Sequence, residues 1–248
     1  MGLIFVIFIE FLAAFLLKQL VPQNILEMIL ITINFILTTF YLRENIHDKK
    51  LFLIIYGMFI LRVMLVFIDV YVFKLPLSGN DTENFHNEAI RIAKLLPSEK
   101  AYSPYGTYPE ILGIAYYIIG PMRTYIQNIN VILYILSAIN IIKIFKIYSI
   151  NKGLVRKYIF VYLAMIIGIC ESTTLLRESL LILILSYSIY YFVKFINFGG
   201  NINILIAIFY AVIAANLHTG VIAVLPVYIA IFILYDRCNN KLNITIKV

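Results

Sequence analysis

Apolar runs long enough to cross a lipid bilayer recur along almost the whole chain, and they constrain the fold more than any other feature. One of them, LFLIIYGMFILRVMLVFIDVYVF (51–73), contains 23 residues, and about 20 apolar residues span a hydrocarbon core about 30 Å thick. Hydrophobic residues make up 62% of the chain and charged residues 13%, against about 45–50% and about 25% in soluble domains. The sequence therefore predicts an all-α fold, a polytopic transmembrane helical bundle.

The apolar pattern predicts about eight spans within a single transmembrane domain that covers residues 1–248. The predicted spans are 3–20, 25–42, 51–73, 125–147, 158–172, 176–196, 202–217 and 219–235. A further apolar piece, PEILGIAYYIIGP (109–121), is too short to cross alone. We expect this piece to be a re-entrant or interfacial segment.

The basic residues concentrate in short segments between the apolar runs, at 43–50, 143–157 and 237–247. Lysine and arginine favour the cytoplasmic side of a membrane, so these segments and the N-terminus are predicted to be cytoplasmic. If 109–121 crossed the bilayer, 143–157 would move to the opposite side, against this rule. The net charge of +7 therefore serves membrane topology, and we expect no nucleic-acid partner.

The long polar interruption at 74–124, here called the external loop, is predicted to lie on the non-cytoplasmic side. From Asn84 to Leu96 it combines an apolar set of residues with a polar set at helical spacing. The apolar set is Phe85, Ala89, Ile92 and Leu96, and the polar set is Asn87, Glu88, Arg91 and Lys94. This pattern is typical of an amphipathic helix in the membrane interface.

Asp81, Glu83 and His86 stand near the start of this helix and allow two interpretations. In the first, the acids are structural, because Asn80 with Glu83 fits a capping box and acids stabilise a first helical turn. In the second, Asp81 accepts a proton from an incoming hydroxyl. Glu83 or His86 would then assist, or help to hold a divalent cation such as Mg²⁺ or Mn²⁺. No spacing here is diagnostic of a metal, so its identity stays open.

Three tyrosines, Tyr102, Tyr105 and Tyr108, follow in the segment YSPYGTYP (102–109), where prolines and a glycine favour a turn. Tyrosines often form an aromatic belt at the membrane surface. Alternatively, their rings stack on the apolar faces of pyranose sugars. Both interpretations remain open at this stage.

Two further polar sites are predicted to face the same side as the external loop. Arg177 and Glu178 begin a span close to Glu171, and His218 lies between two apolar runs. Charges near bilayer depth are costly and are therefore functional candidates. Arg177 is predicted either to reach the membrane surface or to bind a phosphate with its planar donors. His218 is either a structural turn residue or a phosphate ligand and proton donor.

Glu10 and Arg62 are the deepest charges, near the middles of the first and third predicted spans. An unpaired charge at that depth costs several kcal/mol, so we expect a structural ion pair between them. Asp69 lies seven residues after Arg62, on the same helix face but nearer the outer surface. It is a candidate for lining the site.

Several segments in order resemble a known class. They are GNDTENFHNEAIRIAK, YSPYGTYPEILGIAYYIIGP, QNINVILYILSAINIIKIFKI and ESTTLLRESLLILILSYSIYYF. Over residues 60–235 the chain resembles the polytopic glycosyltransferases of the GT-C class and the related bacterial capsule, O-antigen and exopolysaccharide polymerases. It departs from the class because two additional spans precede the external loop.

The resemblance implies an enzyme of the bacterial plasma membrane that transfers a sugar or glycan from a polyprenyl phosphate or diphosphate to an acceptor hydroxyl. The class carries a catalytic base or metal-linked acid in its first large external loop, which falls here on Asp81 with Glu83 beside it. Glu178 matches an acid at a later helix start. Polyprenyl-linked donor, glycan acceptor and membrane lipid are the partners implied. The phosphate ligands expected are Arg91, Lys94, Arg177 and His218.

The sequence contains no Walker A motif, Gly-rich dinucleotide loop, zinc signature or G-x-S-x-G motif. A sugar donor would therefore arrive on a lipid carrier rather than as a nucleotide sugar bound by a soluble domain. The alternatives are a flippase or transporter for lipid-linked glycans, or a non-catalytic membrane scaffold. A transporter often shows internal repeats, and none is visible.

Overall fold

A computed structural model describes residues 2–96, 102–236 and 241–242, which are almost entirely helical. The helices are α1 (Gly2–Leu17), α2 (Gln23–Asn45), α3 (Lys49–Tyr71), α4 (Asn80–Leu95), α5 (Thr107–Ile119), α6 (Arg123–Ile147), α7 (Lys152–Ala164), α8 (Ile166–Thr173), α9 (Glu178–Phe198), α10 (Asn201–Leu217) and α11 (Val224–Leu234), with a 3₁₀ helix at Thr219–Ala223. Two-residue strands β1 (Tyr235–Asp236) and β2 (Lys241–Leu242) pair antiparallel.

Four of the described helices, α2, α3, α6 and α9, are long and apolar enough to cross a membrane. The bent pair α7 and α8, with 58° between its halves, raises this number to five if the pair forms one span. These helices are compatible with an integral membrane protein. The predicted count of about eight spans is not supported, because α1, α10 and the α11 region are shorter apolar helices of 10–17 residues over their described parts.

Local sequence signals define several of the helix ends. Asp48 caps α3, where its carboxylate accepts hydrogen bonds from the backbone nitrogens of Lys50 and Leu51. Gly106 and Gly120 flank α5, and both adopt φ values of 90°, which glycine reaches without the strain of a Cβ. As predicted, α5 is short: its 13 residues cover about 20 Å, less than a bilayer core.

The described residues divide into two compact units. The first contains those of 1–135 and 160–179, and the second those of 136–159 and 180–248. In the second unit α10 packs on α11, and Ser188 on α9 donates to the carbonyl of Ala207 over 2.8 Å. The expectation of a single transmembrane domain stays a prediction.

The hydrophobic core of the first unit joins α1, α2, α4, α5 and the start of α6. The predicted helix of the external loop is confirmed as α4, and Phe85, Ala89 and Ile92 form its buried face. The helices α4 and α5 approach closely at Gly113, where a Cβ would lie 2.5 Å from Cγ2 of Ile92. Glu88 departs from the predicted solvent face, because it is 9% exposed and Arg91 binds its carboxylate.

The predicted ion pair between Glu10 and Arg62 is wrong. Oε2 of Glu10 accepts a hydrogen bond from the hydroxyl of Tyr125 over 2.8 Å. Arg62, which is fully buried, donates to the carbonyl of Leu163 over 2.6 Å and to the hydroxyl of Ser172 over 2.9 Å. The helix break between α7 and α8 provides the Leu163 acceptor, since carbonyls in the last turn of a helix lack partners within it, and Ser172 lies near the end of α8.

Candidate functional site

Asp69 is a buried residue near the C-terminal end of α3 that organises the start of the external loop. Its carboxylate accepts three hydrogen bonds, from the backbone nitrogen of Leu75 (2.8 Å), the hydroxyl of Ser78 (2.9 Å) and the side-chain amide of Gln127 on α6 (2.8 Å). A carboxylate with three donors is well compensated for its burial. Asp69 therefore attaches the loop to two long helices.

Arg123, the first residue of α6, lies next to Asp69 and joins two acids. Its Nη1 donates to Oε1 of Glu83 over 2.9 Å, and its Nη2 lies 3.6 Å from Oδ2 of Asp69. Nζ of Lys74 approaches the same oxygen of Glu83 at 2.9 Å. We call Asp69, Lys74, Glu83 and Arg123 the Arg123 cluster. It contains two cations and two acids, so its formal charges cancel.

Glu83 does not form the predicted capping box. Gly79 is the N-cap of α4, Asn80 is already helical, and no side chain caps the helix. Burial alone would raise the pKa of Glu83, but the hydrogen bonds and positive charges of Arg123 and Lys74 outweigh it and hold this pKa below its usual value. Glu83 is consequently a held carboxylate rather than a free base.

His86 lies one turn after Glu83 and packs against α5. Its Nδ1 is 2.8 Å from the hydroxyl of Tyr116, and the two rings meet edge to face. Burial lowers the pKa of His86, and the charge of Arg123 adds to this effect while that of Glu83 opposes it. The imidazole is therefore neutral at pH 7.

Asp81 differs from its acidic neighbour Glu83. It lies in the first turn of α4 and is exposed. Among the residues that the structure describes, no side chain makes a hydrogen bond or ion pair with it. Two acids two residues apart thus have contrasting environments.

The cations predicted to bind phosphate occupy different settings. Arg91 makes a two-pronged contact with Glu88, of 2.9 and 2.6 Å, and donates to the carbonyl of Tyr102. Lys94 is exposed, whereas Nε of Arg177 lies 3.6 Å from Oε1 of Glu178. His218 belongs to the second unit, where its Nδ1 accepts from the backbone of Gly220 over 3.2 Å and so caps the 3₁₀ helix.

The three tyrosines predicted to bind sugar separate into two groups. Tyr102 and Tyr105 are 75% and 45% exposed, but Tyr108 is only 5% exposed. The ring of Tyr108 packs edge to face against Phe85, with 5.5 Å between centroids. Tyr108 therefore belongs to the interior of the first unit rather than to an exposed stacking surface.

A second polar group surrounds Tyr108. Asn130 on α6 donates from its amide nitrogen to the carbonyls of Thr174 (3.0 Å) and Leu176 (2.9 Å), which positions the segment before α9. The Asn130 amide and the Glu178 charge both lie close enough to Tyr108 to act on its hydroxyl. We call the following residues the Tyr108 cluster: Tyr108, Asn130, Arg177, Glu178 and Ser179.

Four atoms of the Tyr108 cluster are buried without a protein hydrogen-bond partner. They are the hydroxyls of Tyr108 and Ser179, Nε of Arg177 and Oε2 of Glu178. Burial strongly raises the pKa of Tyr108, and the nearby Glu178 charge adds to this effect while Asn130 opposes it. The tyrosine is therefore a neutral hydroxyl that can both donate and accept.

Sequence reasoning overlooked several residues that organise these clusters. Lys74, Gln127, Asn130 and Tyr116 had no assigned role, although polar residues such as Gln127 and Asn130 stand out within the apolar run that forms α6. A buried amide in an apolar helix indicates a specific hydrogen bond. The amides of Gln127 and Asn130 therefore indicate which face of α6 is packed, but not which residues they bind.

No group of three or more His, Cys, Asp or Glu side chains that could hold a metal ion occurs within residues 2–96, 102–236 and 241–242. Glu83 and His86, the predicted helpers of Asp81 in metal binding, are already engaged by Arg123 and Tyr116. The divalent cation at Asp81 therefore stays a prediction.

A separate groove of about 490 Å³ runs along α2, lined by Asn24, Ile25, Met28, Ile29, Thr32 and Ile33 together with Tyr71 of α3. It shares no residue with either cluster.

Comparison of the chain with protein-family models, curated proteins and solved structures finds no match.

Proposed function

We propose that the protein is a membrane glycosyltransferase or polysaccharide polymerase that moves a sugar or glycan from a polyprenyl phosphate or diphosphate to an acceptor hydroxyl. The reaction takes place at the non-cytoplasmic face of a bacterial plasma membrane, with the N-terminus in the cytoplasm. The observation that carries this proposal is the contrast between Asp81 and Glu83. Arg123 and Lys74 hold Glu83, whereas Asp81 is exposed and therefore open to exchange a proton with a substrate.

In the proposed step, the oxygen of the acceptor hydroxyl attacks the anomeric carbon of the donor sugar. The bond between that carbon and the phosphate oxygen breaks, and the polyprenyl phosphate or diphosphate leaves with the electron pair. Asp81 accepts the proton of the acceptor. Exposure supports this role, since Asp81 is open to an incoming group.

The Arg123 cluster has a positioning role in this proposal. By holding Glu83 and the segment around Ser78 against α3 and α6, it sets the place at which α4 begins and thus where Asp81 stands. Arg91 and Lys94, about three and nearly four turns after Asp81 on α4, are the cations proposed to contact the donor phosphate, and Lys94 is the one that is exposed without a contact to Glu88.

The test replaces the protein in its source organism by Asp81→Asn and measures surface glycan together with lipid-linked precursors by mass spectrometry. We expect glycan to fall by at least ~100-fold, the usual contribution of a general base, while the lipid-linked donor accumulates. The matched control is Asn84→Ala, one turn along the same helix, which should leave both unchanged. Near-normal glycan in Asp81→Asn, at normal protein level, removes the assignment.

A flippase or transporter for lipid-linked glycans is the second candidate, and one observation favours it. The helix break between α7 and α8 is stabilised by Arg62, a buried cation whose described polar partners are neutral, and broken spans are typical of transport sites. In liposomes containing the purified protein, transport predicts movement of a fluorescent polyprenyl-diphosphate sugar between leaflets without any acceptor. Arg62→Leu should then abolish this movement while Asp81→Asn retains it.

A further inference from the structure

We propose that the Tyr108 cluster binds the hydroxyl groups of a neutral sugar unit. This inference rests on the proposed function, because the sugar would be that of the glycan donor or acceptor. It gives Arg177 a role other than the phosphate contact that the sequence predicts.

Burial is the first argument. Ser179 is 0% and Tyr108 5% exposed, yet neither hydroxyl makes a hydrogen bond of acceptable geometry within the protein. The Asn130 amide, which lies near the Tyr108 hydroxyl, donates its hydrogens to the carbonyls of Thr174 and Leu176 instead. A buried polar group without a partner costs about 1–3 kcal/mol, and native structures rarely retain such groups unless another molecule satisfies them. Four such atoms belong to residues 177–179 and to Tyr108, which shares a hydrophobic core cluster with Leu175 and Leu176, the residues just before Arg177.

Access is the second argument. The side chains of Arg177 and Glu178 are 29% and 28% exposed, so the cluster opens to the surface on one side while Tyr108 and Ser179 lie deeper. A second group of buried polar residues, around Asn34 and Thr38, also lacks partners. Both of those residues are only 1% exposed, and Glu10 and Tyr125 beside Asn34 are 5% and 0% exposed. None of these residues reaches the surface as Arg177 and Glu178 do.

Charge decides the class of ligand. The positive charge of Arg177 faces Glu178 at 3.6 Å, and Glu171 lies close enough for the two carboxylates to repel each other. Because the two negative side chains, Glu171 and Glu178, outnumber the one positive side chain, Arg177, a negatively charged phosphate group is disfavoured here. The unpartnered atoms comprise one N–H donor, one carboxylate acceptor and two hydroxyls that act in both senses. Sugar hydroxyls, which donate and accept, match this set.

The experiment measures binding of glucose, galactose and N-acetylglucosamine to the purified full chain in detergent, by saturation-transfer difference NMR, with inorganic phosphate as the anionic probe. At least one sugar should bind, and Tyr108→Phe and Ser179→Ala should each weaken it by ~10-fold, the effect of one hydrogen bond. Tyr148→Phe, the same chemical change at a ring that is 50% exposed and has no assigned role, should have no effect. Binding of phosphate at the cluster, or sugar binding unaffected by both variants, would overturn the proposal.

Thermal unfolding without sugar gives a second criterion. Because the two hydroxyls have no partner in the protein, Tyr108→Phe and Ser179→Ala should unfold at the same temperature as the wild type or higher. A clear fall in melting temperature would mean that the hydroxyls are satisfied internally, and the proposal would fail.

Asp81→Asn separates the two proposals. If it binds sugar normally and loses glycan synthesis, both hold. If it binds sugar and keeps synthesis, the base assignment fails and the sugar site stands. If no sugar binds the wild type although synthesis depends on Asp81, only the sugar site fails.

Discussion

The Arg123 cluster and the Tyr108 cluster both gather polar side chains in the first unit, but they differ in how those side chains are satisfied. Both acids of the Arg123 cluster are bound by donors within 3 Å, Asp69 by three of them. In the Tyr108 cluster the two deepest hydroxyls have none. Nε of Arg123 and Oε1 of Gln127 are also buried without a partner, so the contrast lies in the acids and the hydroxyls. Paired acids give the Arg123 cluster a structural role, whereas buried hydroxyls without a partner are what points to a ligand at the Tyr108 cluster.

The strongest test of this distinction is Asp69→Ala. The substitution leaves the amide of Gln127 and the hydroxyl of Ser78 without their acceptor and removes a negative charge near Arg123. Losing one partner of a buried, hydrogen-bonded charge network costs about 3–5 kcal/mol. Denaturant unfolding in detergent measures this loss. Asp81→Asn, an exposed acid on the same loop, serves as the control and should change stability by less than ~0.5 kcal/mol.

Arg123→Gln should have the next largest effect and depend on pH. Arg123 is one of the two cations that hold the pKa of Glu83 down. A carboxyl whose pKa is lowered on folding contributes stability above its unfolded pKa of about 4.3 and loses it as pH falls through the folded value. The free energy of unfolding of the wild type should therefore exceed that of the variant by about 2 kcal/mol at pH 7. This difference should shrink below pH ~4.

Melting curves of the two proteins between pH 7 and pH 3 measure that difference. A gap between wild type and Arg123→Gln that stays constant over this range would show that Arg123 stabilises the fold through packing rather than through Glu83.

The substitution His86→Gln should have the smallest effect on stability. Burial and the charge of Arg123 lower its pKa, so the unfolded chain binds a proton at higher pH than the folded protein. Its contribution to stability is complete above the unfolded pKa of about 6.5 and declines as pH falls below that value. Between pH 7 and pH 5 the free energy of unfolding should fall by up to ~1 kcal/mol more in the wild type than in His86→Gln. Equal losses in both proteins would contradict this prediction.

Much of the architecture follows from local sequence patterns. The periodicity of Phe85, Ala89 and Ile92 predicts α4, and the length of the apolar piece 109–121 predicts a segment too short to cross the bilayer, which is observed as α5. Both helices are confirmed, because helical spacing and turn residues act over a few positions. The number of spans is less predictable. A continuous apolar run does not reveal a break such as that at Met165, where ψ is 121°.

The candidate site was predicted only in part, for a related reason. The sequence identifies Asp81, Glu83, His86, Arg177 and Glu178 as unusual polar residues in an apolar chain. Their partners lie far away in sequence: Arg123 is 40 residues from Glu83, and Tyr116 is 30 residues from His86. Pairing at such distances depends on how helices pack, and spacing within one helix gives no information about it.

The sequence by itself determined that this is a helical chain suited to a membrane, and where its amphipathic helix and its short apolar helix lie, since hydrophobicity and backbone preference are local properties. Only the tertiary structure decided which charges are neutralised and which polar atoms stay unpartnered. Arg62, predicted to pair with Glu10, instead binds the carbonyl of Leu163, because a buried charge takes the acceptors that packing brings within reach.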